Sequence, residues 1–251
     1  MTTFERLLTI RRERGAGYLL LIDPDNISHD HLPAFVSSAT KAGVDAFLVG
    51  GSLMLTDTFE ESILSIKKAT DRPVIIFPGS LFQISSHADA ILFLLLISGR
   101  NPDHLIGNQV VAAPVIRKRG LEAISTGYML IETGKTTSAE FMSNTKPIPH
   151  DKADIAAAHA IAAETIGMKL LYLDAGSGAE QPIPDAMIGA IARHSSLPMV
   201  IGGGIRTPEQ AMQKVKAGAS FVVTGTATES RLQQGLISQF AEAIHSVSKG
   251  N

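Results

Sequence analysis

Three apolar runs in this chain end in residues that can do chemistry. The segment Ile201-Gly202-Gly203-Gly204-Ile205-Arg206-Thr207-Pro208-Glu209-Gln210 sets three glycines directly after such a run. Positions without a side chain let backbone N–H groups approach a ligand closely. Thr207-Pro208 followed by Gln210 has the form of a helix start, with threonine as N-cap. A glycine loop that runs into a helix N-terminus makes a phosphate cradle. A second small-residue loop, Thr224-Gly225-Thr226-Ala227, follows the next apolar run. The third segment, Leu171-Tyr172-Leu173-Asp174-Ala175-Gly176-Ser177-Gly178, delivers a carboxylate. Asp174 is placed to act as a general base or to accept from a substrate hydroxyl, and equally to cap a glycine turn.

Earlier in the chain, Leu21-Ile22-Asp23-Pro24-Asp25 closes another apolar run, and Gly50-Gly51-Ser52 closes the next. Mg²⁺ is commonly held by one or two protein oxygens plus ligand phosphates. Asp23 can supply one oxygen and the Ser52 hydroxyl another, although Asp-Pro-Asp-Asn is also a good turn and helix entry. Ser98-Gly99-Arg100-Asn101 could meet an anion or enter a helix. The eight histidines show no metal-ligand spacing. With no cysteine in the chain, disulfides, thiolate metal sites and cysteine nucleophiles are excluded, and a cytoplasmic location fits.

The elements that must position these residues alternate along the whole length. Strands are expected at Leu19 to Ile22, Ala46 to Val49, Val74 to Phe77, Ala90 to Ile97, Ala123 to Ile131, Lys169 to Leu173, Met199 to Ile201 and Phe221 to Val223. Helical sequence lies between them, at 31–41, 56–70, from near Pro102, at 152–167, 184–194 and 207–217, and closes the chain at 231–248. Strands that read as continuous apolar runs belong to a parallel sheet covered on both faces. Eight of them alternating with helices predict one domain over residues 1–251, a closed (β/α)₈ barrel of the TIM type. In such barrels the loops after strands seven and eight form a phosphate site, which is where the two glycine loops fall.

One unit departs from the pattern. Only twelve residues, Pro78 to Asp89, separate strands three and four. That is too few for two loops and a helix of about 11–12 residues. The helix there should be shortened or replaced, exposing apolar barrel wall along which a hydrocarbon ligand could lie, over Phe77, Pro78 and Phe93.

Hydrophobic residues make up 45% of the chain, enough for a sizeable core. With 22 basic against 24 acidic residues, no global charge favours nucleic acid. The longest apolar run, Ala90 to Ile97, is far short of the roughly 20 residues of a membrane span, and the N-terminus lacks the apolar core of a signal peptide.

Asp23-Pro24-Asp25, Val49-Gly50-Gly51-Ser52, Tyr172 to Gly178, Gly202-Gly203-Gly204-Ile205 and Gly225-Thr226 occur in the order found in the geranylgeranylglyceryl phosphate synthase family, which this chain resembles over nearly its whole length. Lys146-Pro147-Ile148-Pro149 before an alanine-rich helix is similar to that family too. The sixth-strand motif resembles the archaeal and Bacteroidetes-type branch more than the shorter bacterial heptaprenyl enzymes. The resemblance implies a Mg²⁺-dependent prenyltransferase that joins sn-glycerol 1-phosphate to geranylgeranyl diphosphate. It implies Mg²⁺ at Asp23 and Ser52. Glycerol phosphate contacts are implied at Tyr172, Leu173, Asp174, Ala175, Gly176, Ser177, Gly178, Gly203, Gly204, Gly225 and Thr226, with Asp174 catalytic. It also implies a homo-oligomer, dimer or hexamer. With no transmembrane segment in the sequence, transient membrane contact is the expectation for collecting a prenyl substrate. Asp174 stands where the family usually carries glutamate, one methylene longer. The rivals are a sugar-phosphate isomerase, which would want a second carboxylate or a lysine at a strand end, and a non-catalytic barrel that only binds a phosphometabolite.

Overall fold

Eight parallel strands close on themselves in sequence order in the computed structural model, which describes residues 1–225 and 234–247. They are β1 (Gly17–Ile22), β2 (Ala46–Val49), β3 (Val74–Ile76), β4 (Ala90–Leu96), β5 (Glu122–Leu130), β6 (Leu170–Asp174), β7 (Met199–Gly202) and β8 (Phe221–Thr224). β8 returns to β1 in the register Gly17 to Phe221. The helices are α1 (Thr3–Arg14), α2 (Leu32–Lys41), α3 (Phe59–Ala69), α4 (Asn108–Lys118), α5 (Ser138–Ser143), α6 (Ala153–Thr165), α7 (Asp185–His194), α8 (Pro208–Ala217) and α9 (Gln234–His245). The expected barrel is therefore present. Among the described residues no helix is long and apolar enough to cross a membrane.

The continuous apolar runs are explained by burial on both faces. Alternate strand residues, among them Leu19, Leu48, Ile75, Leu92, Ile124, Tyr128, Leu170, Tyr172 and Val223, fill the barrel's interior. Their neighbours, such as Phe47, Ile91, Met129, Leu173 and Ile201, pack outward against the helices. α8 begins with the expected capping box: the Thr207 hydroxyl accepts from Gln210 N and the Gln210 side chain accepts from Thr207 N, both at 3.3 Å.

Two helices were not legible in the sequence. α1 seals the floor of the barrel with Leu7, and the Glu122 carboxylate caps it by accepting from Thr3 N at 2.5 Å and Phe4 N at 3.1 Å. Only Thr3 and Leu7 of α1 are buried, so it shows no apolar stripe. α5 is a six-residue helix in the loop after β5, capped by the Thr137 hydroxyl.

No helix forms between β3 and β4. Residues 77–89 run as an irregular loop, and the two strands pair only at Ile75 with Ala90 and Ile76 with Ile91. β4 and β5, by contrast, pair from Ala90 to Leu96. The upper half of β4 thus presents an edge beside the missing helix. The Gln109 side chain satisfies one edge carbonyl, Leu94 O, at 2.5 Å, from α4 just after a π-helical turn over Asp103–Gly107.

On the opposite side of the barrel, the buried Asp45 carboxylate ties three elements together. It accepts from Tyr18 N at 2.8 Å on β1 and meets His245 Nε2 at 2.8 Å on α9, with the Arg14 guanidinium of α1 at 3.1 Å. Replacing it leaves these donors without their shared acceptor. Asp45→Ala is expected to lower the unfolding free energy by about 2–4 kcal/mol, measured by urea denaturation.

Candidate active site

The loops after β6 and β7 meet backbone to backbone. Gly203 and Gly204 adopt φ values of +84° and +69°, which L side chains rarely reach. A Cβ on Gly203 would stand 2.7 Å from Gly176 N, and one on Gly204 would stand 2.6 Å from Gln181 O. Arg206 staples the two loops, donating to Ala179 O at 2.8 Å and Glu180 O at 3.1 Å. Its guanidinium is thereby engaged in fixing the cradle.

Ser177, Gly178, Gly203, Gly204 and Gly225 line one cavity of about 890 Å³ together with Tyr172 and Asp174. Thr226 lies outside the described residues. Leu173 and Ala175 belong to the outer core, with Ala175 N bonded to Gly202 O at 3.0 Å and Ala175 O accepting from the Thr133 hydroxyl at 3.1 Å. These two shape the loop and do not line the cavity. The Gly176 N–H is likewise directed to Asp174 Oδ1 at 2.7 Å.

Asp174 ends β6 and points into the barrel mouth, nine-tenths buried. The Tyr128 hydroxyl donates to its Oδ2 at 2.6 Å. Burial pushes the Asp174 carboxyl above the usual aspartate value, and the bonds from Tyr128 and Gly176 pull it back. Tyr128 went unnoticed in the sequence because it sits in an apolar run. Its alternation with Ile124, Thr126 and Leu130 is the signal that it faces inward. Phe77 stacks on Tyr172 with centroids 4.7 Å apart, and Tyr128 meets both rings edge-on at 5.7 Å. Three aromatic rings therefore surround the approach to Asp174.

Across the mouth, Asp23 stands over the loop after β2. A Cβ on Gly51 would lie 3.0 Å from Asp23 Oδ2, and Ser52 is the next residue along the cavity wall. Burial raises the Asp23 pKa, partly offset by the bond from Asp25 N. Asp25 turns away: it accepts from Leu55 N at 2.6 Å and from the Thr56 hydroxyl, so it secures the loop. Gln83, 2% exposed, clamps that loop to the next, accepting from Gly79 N at 3.1 Å and donating to Gly51 O at 2.8 Å. Among the described residues no group of three or more acidic or histidine side chains could hold a metal. Asp23 and Ser52 line the same cavity, and a partly desolvated carboxylate with a hydroxyl is a donor set that could hold Mg²⁺ only together with ligand phosphates.

From this mouth the cavity continues past Phe77 and Pro78 to Ile91, Phe93, Ala112 and Ile116. Phe93 faces outward where the helix is missing, whereas Phe77 belongs to the mouth. Ser98 and Arg100 line a separate surface groove, and the Asn101 side chain accepts from Asp103 N at 3.0 Å, the helix-entry role. Lys169 lies at the floor over the Phe4 ring, 6.0 Å from its centroid, so it is at the wrong end to serve an isomerase.

The model of the PcrB family matches residues 8–244. A geranylgeranylglyceryl phosphate synthase of Chitinophaga pinensis is 45% identical over 94% of this chain and 93% of its own length. One of Thermococcus kodakarensis is 42% identical over 95% and 93%. Among solved structures, the (S)-3-O-geranylgeranylglyceryl phosphate synthase of Thermoplasma acidophilum, in complex with sn-glycerol-1-phosphate, superposes with a TM-score of 0.93. It is 33% identical and covers 98% of this chain and 100% of its own.

Because a Cβ at Gly203 would strike the loop after β6, Gly203→Ala is expected to push the two loops apart. Affinity for a glycerol phosphate should fall roughly tenfold or more, as read by isothermal titration calorimetry.

Proposed function

This chain belongs to the PcrB family, and we propose that it joins sn-glycerol 1-phosphate to geranylgeranyl diphosphate through an ether bond, releasing diphosphate. The observation that carries this reading is one continuous cavity. It connects a glycine phosphate cradle, a buried carboxylate, the Asp23 and Ser52 oxygens and an apolar channel leaving through the gap in the helix ring.

The chain's own groups divide the work. The loops of Gly178, Gly203, Gly204 and Gly225 hold the phosphate, so that the free primary hydroxyl of the glycerol lies near Asp174. Asp174 accepts the hydroxyl proton as the oxygen bonds to the first carbon of the prenyl chain and the bond from that carbon to diphosphate breaks. Its raised pKa brings it closer to the working pH than an ordinary aspartate, which favours this role. Tyr128 and Gly176 fix both carboxylate oxygens, so the shorter side chain is held in one orientation at the mouth. The π-rich rings of Phe77 and Tyr172 lie where the allylic carbon gains cationic character, an interaction of the cation–π kind. Asp23 and Ser52 would hold Mg²⁺, which when bound neutralises the leaving diphosphate. Positioning supplies much of the rate, because a held hydroxyl must outcompete water.

Two further expectations belong to this reading. Assembly into a homo-oligomer is supported by α4, whose Val110, Val111 and Val115 remain exposed on the side away from the barrel. A cytoplasmic location is supported by the absence of cysteine.

The decisive experiment offers labelled sn-glycerol 1-phosphate with prenyl diphosphates of several lengths, with and without Mg²⁺. An organic-soluble ether that requires Mg²⁺ and peaks with the geranylgeranyl donor is the expected result. Glycerol phosphate binding without product would identify a mere binding barrel. Asp174→Asn should lower kcat by about 10²–10⁴-fold. Activity needs ionised Asp174, so kcat/KM should fall as pH drops through its folded pKa, above the usual aspartate range. Tyr128→Phe removes a donor that favours the ionised form and should move that acid limb to higher pH.

A further inference from the structure

At the rim of the cavity two loops carry apolar side chains outward. Leu53 is 55% exposed, Leu55 83% and Phe82 94%, with Leu81 beside Phe82. Leu53 and Leu81 also line the cavity, so the patch is continuous with the channel assigned to the prenyl chain. Neither loop is free to fold its side chains back. Asp25 holds Leu55 N, Gln83 bridges Gly51 and Gly79, and the Arg119 guanidinium donates to Ile84 O. Exposed leucine and phenylalanine on braced loops are costly in water unless something covers them.

Charge distinguishes the candidates for that cover. Across residues 50–59 and 77–86 the single charged side chain is Asp57, joined at the rim by the Asp25 carboxylate, which is engaged by Leu55 N and the Thr56 hydroxyl. A surface so poor in charge enters the interface of a zwitterionic bilayer at little desolvation cost and gains nothing from an anionic one. A second copy of the chain seated there would shut the opening between Leu53 and Leu81 through which a twenty-carbon tail enters. A bilayer leaves it open, because the substrate and the product are themselves amphiphiles dissolved in it.

We propose that the loop tips bearing Leu55 and Phe82 dock this enzyme on a zwitterionic lipid bilayer, so that the prenyl donor passes from the membrane directly into the cavity. This rests on the prenyl-transfer reading for the purpose of the contact, while the contact itself is measured without turnover. Vesicles of phosphatidylcholine are floated with the wild-type protein and with the double variant Leu55→Ser/Phe82→Ser, neither of whose altered residues lines the cavity. The wild type is expected to float with the vesicles, insensitive to salt, and the double variant to lose roughly tenfold or more of its partitioning. With geranylgeranyl diphosphate carried in the vesicles, the variant's apparent KM should rise by a similar factor. Turnover of water-soluble geranyl diphosphate should be unchanged between the two proteins. Wild-type protein that stays in solution, or a variant that floats as well as wild type, overturns the docking. So does sedimentation velocity showing the variant in a smaller assembly with vesicle binding unaltered, which would give the patch to a second copy. Failure to turn over either donor would sink the prenyl-transfer reading and leave the flotation result standing.

Discussion

Close approach of loop backbones at the C-terminal face of the barrel is the constraint on which the site depends. A Cβ on Gly50 would fall 2.0 Å from Phe77 O, and one on Gly79 would fall 2.1 Å from Gly51 O. The same holds between the loops after β6 and β7 at Gly203 and Gly204. These contacts bring two pairs of neighbouring loops into register across the mouth. Side chains then lock what the glycines permit: Gln83 on one side and Arg206 on the other, each bonded to main-chain atoms. The result is a rigid rim of backbone N–H groups and a few oxygens, suited to phosphate chemistry in which positioning does much of the work.

The missing helix between β3 and β4 follows from chain length and has the opposite character. Where the other units bury both faces of a strand, this one leaves part of β4 uncovered. The outward residue Phe93 is left partly buried and becomes cavity wall, beside the buried Ile91. A polar, rigid mouth and an apolar open flank thus lie side by side, the two halves of an amphiphilic ligand. The same shortage of residues places Leu81 and Phe82 at the surface, because no helix remains to carry them inward.

Asp174 shows how burial and hydrogen bonding divide the control of one group. Its position inside the mouth raises its pKa, and the Tyr128 hydroxyl and Gly176 N–H keep the ionised form accessible. The aromatic stack of Phe77 on Tyr172 forms an apolar wall of the same cavity. Base, aromatic walls and phosphate loops therefore form one device built from five strands.

Local sequence determined a good deal. Continuous apolar runs identified all eight strands, since burial on both faces imposes that composition whatever the neighbours are. Glycine spacing marked the loops after β6 and β7, because Gly176, Gly178, Gly203 and Gly204 hold positive φ angles that favour glycine. The twelve residues from Pro78 to Asp89 were too few for two loops and a full helix, and the structure replaces it with an irregular loop. The remaining features were decided by contacts between residues far apart in the chain. Tyr128 is one more apolar-run residue until the barrel closes and sets it against Asp174, 46 positions later. Gln83 reads as a loop residue until β2 and β3 pair and bury it beside Gly51. α1 carries too few buried side chains to show a pattern, and Glu122 caps it only once the floor is assembled. Periodicity reports how a segment meets the core as a whole, whereas the partner of an individual polar atom is chosen by strand order and register, which exist only in the folded barrel.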